Sequence, residues 1–280
     1  MSSNTVKRIL SSLSIFIILA FSFYLGRWAV LSLLALIMIL IMDEIFRNFL
    51  KKKRLSFNYI FSQLSILIPF ILLFFFQIDF KFDIYGFFVH WGLLNNIFLL
   101  IYLFLVPMND LTLIERAKKR PFLLGLFYLP FLVCFGTILN FEMWERYLLA
   151  LFVINYSMDT GGWFFGRKFG KHKLWPAVSP KKTVEGLIGG ILTSACFGSL
   201  FWNYYIHPVN LYFFITFAIF AFLSQMGDLV QSKLKRQFGI KDSSRMIPGH
   251  GGLYDRADSV IFLAPFFVAA LRYIKGYYIA

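Results

Sequence analysis

The sequence is short of charge. Asp, Glu, Lys and Arg make up 15% of its 280 residues, where a water-soluble domain carries about 25%. With 59% of residues hydrophobic, that shortfall excludes an ordinary soluble globule. Cysteine is nearly absent as well. Cys134 and Cys196 both lie inside apolar runs, so there is no disulfide framework, CxxC pair or zinc spacing. The chain also lacks a Walker A loop, a GxGxxG after a strand, an HExxH and a GxSxG. These absences remove the phosphate-loop, dinucleotide, zinc-peptidase and serine-hydrolase readings. Low-complexity linkers, internal repeats and soluble domains are missing too.

Apolar blocks take their place. Nine segments stand out, at about 9–26, 28–42, 57–78, 84–106, 122–139, 147–166, 184–206, 208–230 and 257–274. Solid runs, without ten-residue alternation, predict an all-α polytopic membrane protein and exclude a barrel. The first two segments are separated by little more than Arg27 and form either two crossings or a re-entrant hairpin. Lys7 and Arg8 precede the first block, but no A-x-A-like cleavage site follows, so it is read as an uncleaved membrane segment. The chain divides into an N-terminal membrane-helix region, 1–121, and a C-terminal catalytic region, 122–280, with cytosolic loops at 167–183 and 231–256.

The net charge of +14 does not indicate nucleic acid, because the basic residues follow the gaps between apolar blocks. The N-terminus and the gaps 43–56, 107–121, 167–183 and 231–256 hold 23 of the 28 Lys and Arg residues. The alternate gaps hold only Arg27, Lys81, Arg146, Arg272 and Lys275. Positive charge stays on the cytosolic side, which predicts a cytosolic N-terminus, an external C-terminus and an odd number of crossings. The runs "KKKR" (Lys51–Arg54) and "RAKKR" (Arg116–Arg120) are read as orienting and headgroup-contacting only.

Carboxylates inside apolar segments are the first sign of chemistry. Asp159, Glu185, Asp228 and Asp258 lie at or within them, each at the end predicted to be cytosolic. Burying such a group in lipid costs about 2.5–3.5 kcal/mol even on the lenient scale, so it faces a partner or a polar cavity. Four at one depth predict a single pocket. In "QMGDLVQSKLKR", Asp228, Ser232 and Lys235 fall on one helical stripe. A carboxylate, a hydroxyl and an ammonium there suit a hard cation and a phosphate, although a capping Asp beside a snorkelling Lys reads the same way. In "GHGGLYDRADS", Asp255 and Asp258 share one side of a starting helix, flanking Arg256. Gly249, Gly251 and Gly252 before them allow close backbone approach, and His250 is either a ligand or base, or merely polar. In "SPKKTVEG", Ser179 caps the next helix with Pro180 at its first position, putting Lys181 and Lys182 where an anion belongs. Alternatively, Thr183 is the cap and the lysines lie in a loop. Gly162, Gly166 and Gly170, four apart, predict close helix packing.

Taken together, "SKLKRQFGIKDSSRMIPGHGGLYDRAD", Ser232 to Asp258, closely resembles the signature of the phosphatidate cytidylyltransferases (CDP-diacylglycerol synthases). The elements S-x-L-K-R, K-D, P-x-H-G-G and D-R-x-D occur at the expected spacing, and Asp159 to Gly190 resembles the family's preceding region. Ala257 departs from the larger apolar residue usual there. The resemblance covers about 159–260. It implies that CTP and phosphatidate react to give CDP-diacylglycerol and pyrophosphate with Mg²⁺, in a two-metal site, by a homodimer in the bacterial cytoplasmic membrane. It puts the paired metal-binding aspartates on Asp228 and Asp255, with Asp258 a third candidate and Asp159 and Glu185 in support. Lys181, Lys182, Lys235, Arg236, Lys241, His250 and Arg256 are then candidates for binding substrate phosphates. Ser232 is either a metal ligand or a hydrogen-bond donor to phosphate. An isoprenoid ether-lipid phosphate is the alternative acceptor. A CDP-alcohol phosphatidyltransferase lacks its D-G-x-x-A-R run here, and a transporter would place its site at mid-membrane.

Overall fold

The computed structural model describes residues 3–278 apart from Asp79 and His250, with side chains from Leu10 to Ile274. Among them the chain forms ten α-helices: α1 (Ser3–Leu25), α2 (Arg27–Glu44), α3 (Phe57–Phe74), α4 (Ile84–Leu105), α5 (Thr112–Lys119), α6 (Leu123–Ile138), α7 (Trp144–Phe169), α8 (Val184–Tyr205), α9 (Leu211–Gln237) and α10 (Tyr254–Tyr278). Each of the nine apolar segments coincides with a helix. Six helices are long and apolar enough to cross a membrane, and α5 with α6, bent by 99° at their break, would make a seventh. Both α1, apolar over Leu10–Leu25, and α7, which carries Glu145, Arg146, Asp159, Arg167 and Lys168, fall outside that set.

Side-chain caps begin the helices where the chain leaves its loops. Asn210 Oδ1 accepts from the Tyr212 and Phe213 amides, and Asp83 and Ser56 do the same for α4 and α3. Most of α6 is buried, and α2, α3, α4 and α10 pack around it. At Gly136 the face of α6 is flat enough for the Phe74 ring to lie against it. Outward-facing residues such as Ile101, Phe104 and Leu105 remain exposed, as a lipid-facing surface requires.

The helix ends sort into two sets. At one end Ser11 bonds the Pro248 carbonyl, Asn48 bonds the Ser243 carbonyl, and Gln237 Nε2 bonds three carbonyls of the 107–110 loop. Lys182 meets Asp228 there. The basic gaps 43–56, 107–121, 167–183 and 231–256 therefore meet at one end. At the other, Arg27 bonds Asn140 at 2.5 Å, Arg146 bonds the Tyr205 carbonyl, and Arg272 pairs with Asp83. This segregation matches the charge count.

Two departures from the sequence reading occur here. The loop 167–183 contains a small antiparallel hairpin, β1 (Lys173–Trp175) and β2 (Ser179–Thr183). Pairing satisfies backbone groups that a polar loop beside the helices would otherwise leave open. Consequently Ser179 is not a helix cap. Thr183 is: its Oγ1 accepts from the Gly186 amide at 3.1 Å, and Lys181 and Lys182 lie on a strand. Arg54, too, does more than orient the chain, since it grips Asp43 through two hydrogen bonds of 2.7 and 2.5 Å.

The glycines of α7 and α8 pack these helices closely, as their spacing predicted. A Cβ on Gly186 would sit 2.7 Å from the Gly162 carbonyl oxygen and 3.2 Å from Gly166 Cα. Both obstacles are backbone and cannot swing aside. Gly186→Ala is expected to cost about 1–3 kcal/mol, read as a lower Tm of the detergent-solubilised protein. An unchanged Tm would show that the two helices are not in contact there.

Candidate active site

Helix α9 carries the predicted stripe, and its orientation is set by anchoring to α4. Lys233, fully buried, donates to the carbonyls of Tyr102 at 2.7 Å, Leu103 at 3.0 Å and Val106, with its ammonium 4.5 Å from the Tyr102 ring centre. A cation at the C-terminal end of a helix satisfies carbonyls that have no intrahelical partner. With Lys233 turned to α4, its neighbours on the stripe face the opposite way. Ser232 Oγ donates to Asp228 Oδ1 at 3.2 Å, and Lys235 Nζ donates to Asp255 Oδ1 at 2.8 Å.

Asp228 is the hub. Lys182 of β2 places its ammonium 2.5 Å from Asp228 Oδ2, with no hydrogen bond aligned to it among the described residues. Asp258 and Asp159 lie within Coulombic reach of Asp228, Lys235 within reach of both Asp228 and Asp258, and Arg256 within reach of Asp159. The structure thus brings together Asp159, Lys182, Asp228, Ser232, Lys235, Asp255, Arg256 and Asp258. Lys181 joins the same cleft.

Others stand apart. Glu185, expected in the shared pocket, turns away. It accepts from the backbone amide of His172 and lies 2.6 Å from His172 Nδ1. Its position two residues after the cap points it at the hairpin, leaving three clustered carboxylates from the expected four. Arg236 bonds the Ile240 carbonyl, Lys241 is exposed, and His250 lies outside the described residues.

Asp255 differs from the other aspartates. Its Oδ1 takes Lys235, and its Oδ2 accepts the backbone amides of Ser243 at 2.8 Å and Gly252 at 3.0 Å. It closes the loop onto the start of α10. Glu44 does the same from the N-terminal half and was missed in the sequence, where it reads as the charged edge of an apolar segment. Its carboxylate, 1% exposed, accepts from the Leu253 amide at 2.8 Å, the Tyr254 amide at 2.9 Å, Ser243 Oγ at 3.0 Å and Ser244 Oγ at 2.5 Å. A carboxylate at a helix N-terminus is favoured by the helix dipole. Gly252 leaves room for it, because a Cβ there would sit 1.8 Å from Ser243 Oγ and 2.8 Å from Glu44 Oε2.

Two cavities adjoin the cluster. A cleft of about 370 Å³ between α7, β2, α8 and α9 is lined by the charged or polar side chains of Asp159, Arg167, Lys181, Lys182, Gln225 and Asp228, among apolar residues such as Trp163 and Leu187. A larger, mostly apolar cavity of about 630 Å³ lies between α4, α5, α6, α9 and α10 and includes Asp258. Arg116, Lys119 and Arg120 line it, so the "RAKKR" run edges a cavity, a role beyond headgroup contact.

The donor set suits a divalent cation of one kind. Asp228 and Asp258 lie within Coulombic reach of each other, and Ser232 adds a hydroxyl; two such carboxylates repel unless positive charge lies near both. No group of three His, Cys, Asp or Glu among the described residues is arranged to enclose a metal. Mg²⁺ needs only one or two protein carboxylates and takes its other ligands from water and substrate phosphates. Asp255 has both oxygens engaged, as does Asp228, whose Oδ1 accepts from Ser232 and whose Oδ2 faces Lys182.

A model of the cytidylyltransferase family matches residues 6–274. Similar proteins include the phosphatidate cytidylyltransferase of Staphylococcus epidermidis, 46% identical over 121 residues. Those of Staphylococcus haemolyticus and Staphylococcus aureus are each 44% identical over 131 residues. These matches cover 43% of this chain and 46% of each relative, so the matched stretch spans less than half of the relatives' length. The family match takes in every helix that contributes to the carboxylate cluster, and on that ground the chain belongs to the cytidylyltransferase family.

Proposed function

We propose that the protein is a membrane-embedded nucleotidyltransferase that makes CDP-diacylglycerol and pyrophosphate from CTP and phosphatidate. One observation carries the reading: Asp228 lines a cleft rich in charged side chains, Asp258 lines a mostly apolar cavity, and the two carboxylates lie within Coulombic reach of each other. A reaction between a water-soluble nucleotide and a lipid needs such a junction. The names of the staphylococcal relatives support the same substrates.

In this reaction a phosphate oxygen of phosphatidate bonds to the α-phosphorus of CTP. The bond from that phosphorus to the bridging oxygen breaks, and pyrophosphate leaves with the electron pair. Lys181 and Lys182 hold phosphate oxygens in the cleft. Lys235, bonded to Asp255 and within Coulombic reach of Asp228 and Asp258, adds positive charge where the reacting phosphates meet. Arg256 adds positive charge beside Asp159. Asp228, Ser232 and Asp258 would hold Mg²⁺, which when bound offsets the mutual repulsion of two anionic reactants. The end rich in Lys and Arg faces the cytosol, the source of CTP, and the lipid arrives from the bilayer.

The test is incubation of purified protein with labelled CTP, Mg²⁺ and phosphatidate. Label is expected in the lipid fraction, with pyrophosphate released in equal amount. Folded protein yielding no labelled lipid would overturn the proposal.

A further inference from the structure

The apolar cavity holds an unusual pair of side chains. Gln231 is 1% exposed, and neither its Nε2 nor its Oε1 has a hydrogen-bond partner among the described residues. Asn96 is fully buried. Its Nδ2 donates to the Phe262 carbonyl at 2.7 Å, and its Oδ1 has no partner. Both line the cavity. An unsatisfied buried amide costs about 1–3 kcal/mol, so its persistence in an apolar wall implies a ligand that supplies the missing bonds. The wall selects for a hydrocarbon, the two amides for a polar group within it, and the nearby Arg116, Lys119 and Arg120 for an anionic end.

We infer that this cavity seats the glycerol-ester region and an acyl chain of the lipid substrate, with Gln231 determining specificity by hydrogen bonding an ester carbonyl. The inference rests on the proposed reaction and deepens it: an acyl ester has the acceptor that Gln231 Nε2 lacks, whereas a dialkyl ether has no carbonyl to offer. Asp258, in the same cavity and within Coulombic reach of Asp228, puts the phosphate end of the lipid at the carboxylate cluster. A site built around a hydrogen bond rejects an analogue that cannot make it.

The experiment compares dioleoyl phosphatidate with its dialkyl ether analogue of matched chain length, each with CTP, in wild type and Gln231→Leu. The wild type is expected to favour the ester by about tenfold in kcat/KM, the scale of one net hydrogen bond. In Gln231→Leu that preference falls to near unity through a higher KM for the ester, while the ether is unaffected. The variant's Tm is expected to be no lower than wild type, because an unpaired amide has been replaced by an apolar group. Leu124→Trp, which fills the cavity, is expected to raise the KM for phosphatidate and leave that for CTP unchanged. Equal use of both lipids by the wild type, or an unaltered preference in Gln231→Leu, overturns the inference while the reaction stands. Folded wild type that labels neither lipid overturns the proposed function itself.

Discussion

Asp228→Asn is expected to retain normal membrane insertion and lose nucleotidyl transfer by at least about 100-fold, the scale on which single electrostatic contacts in active sites operate. Asparagine keeps the size of the side chain and can still accept from Ser232 Oγ, now 3.2 Å from Oδ1. What it removes is the negative charge facing Lys182 at 2.5 Å and within Coulombic reach of Asp258 and Lys235. Both members of the Lys182–Asp228 pair are part-exposed, at 20% and 28% of the side chain. Its loss therefore strands no charge in a dry interior, and a small change in Tm is expected. Activity above one tenth of wild type would reject Asp228 as the hub of the site. Asp255→Asn is the informative comparison, since its carboxylate also holds the Ser243 and Gly252 amides. It is expected to lose activity together with stability.

Glu44→Ala is expected to destabilise the protein by about 3 kcal/mol and to abolish transfer with it. The carboxylate satisfies two backbone amides and two hydroxyls that no water reaches easily. Each buried donor left without an acceptor costs about 1–3 kcal/mol, and freeing Leu253 and Tyr254 releases the start of α10, which carries Asp255 and Asp258. Glu44→Gln preserves one acceptor oxygen, so the expected order of Tm is wild type, then Gln, then Ala. The decisive measurement is thermal unfolding of all three proteins alongside the transfer assay at a temperature where each is folded. An Ala variant as stable as wild type would show that the two halves of the chain are not tied together at Glu44.

The two substitutions differ in how readable their positions were in the sequence. Asp228 was conspicuous because a carboxylate within an apolar run demands an explanation, and its spacing to Ser232 and Lys235 follows from helix geometry alone. Glu44 was inconspicuous. It closes an apolar segment where charge is ordinary, and its four partners lie some 200 positions later. Asn96 and Gln231 were hidden for a related reason: an uncharged amide in an apolar stretch costs little to overlook. The Lys181–Lys182 pair was legible in part, since Thr183 was the alternative cap but the strand was not foreseen. A serine followed by proline reads locally as a helix start, yet pairing with Lys173–Trp175 turned that stretch into a strand and moved the cap to Thr183.

Hydrophobic runs and the placement of Lys and Arg determined, without any structure, that the chain is a helical membrane protein with its basic gaps at one end. Lipid allows few ways to satisfy a backbone, and charge segregates with orientation. Tertiary structure alone decided which carboxylates meet, that Glu185 turns to His172, that Lys233 fixes the rotation of α9, and that two cavities adjoin one cluster. Those outcomes depend on contacts between segments far apart in the chain, whose relative rotation and depth no local spacing encodes.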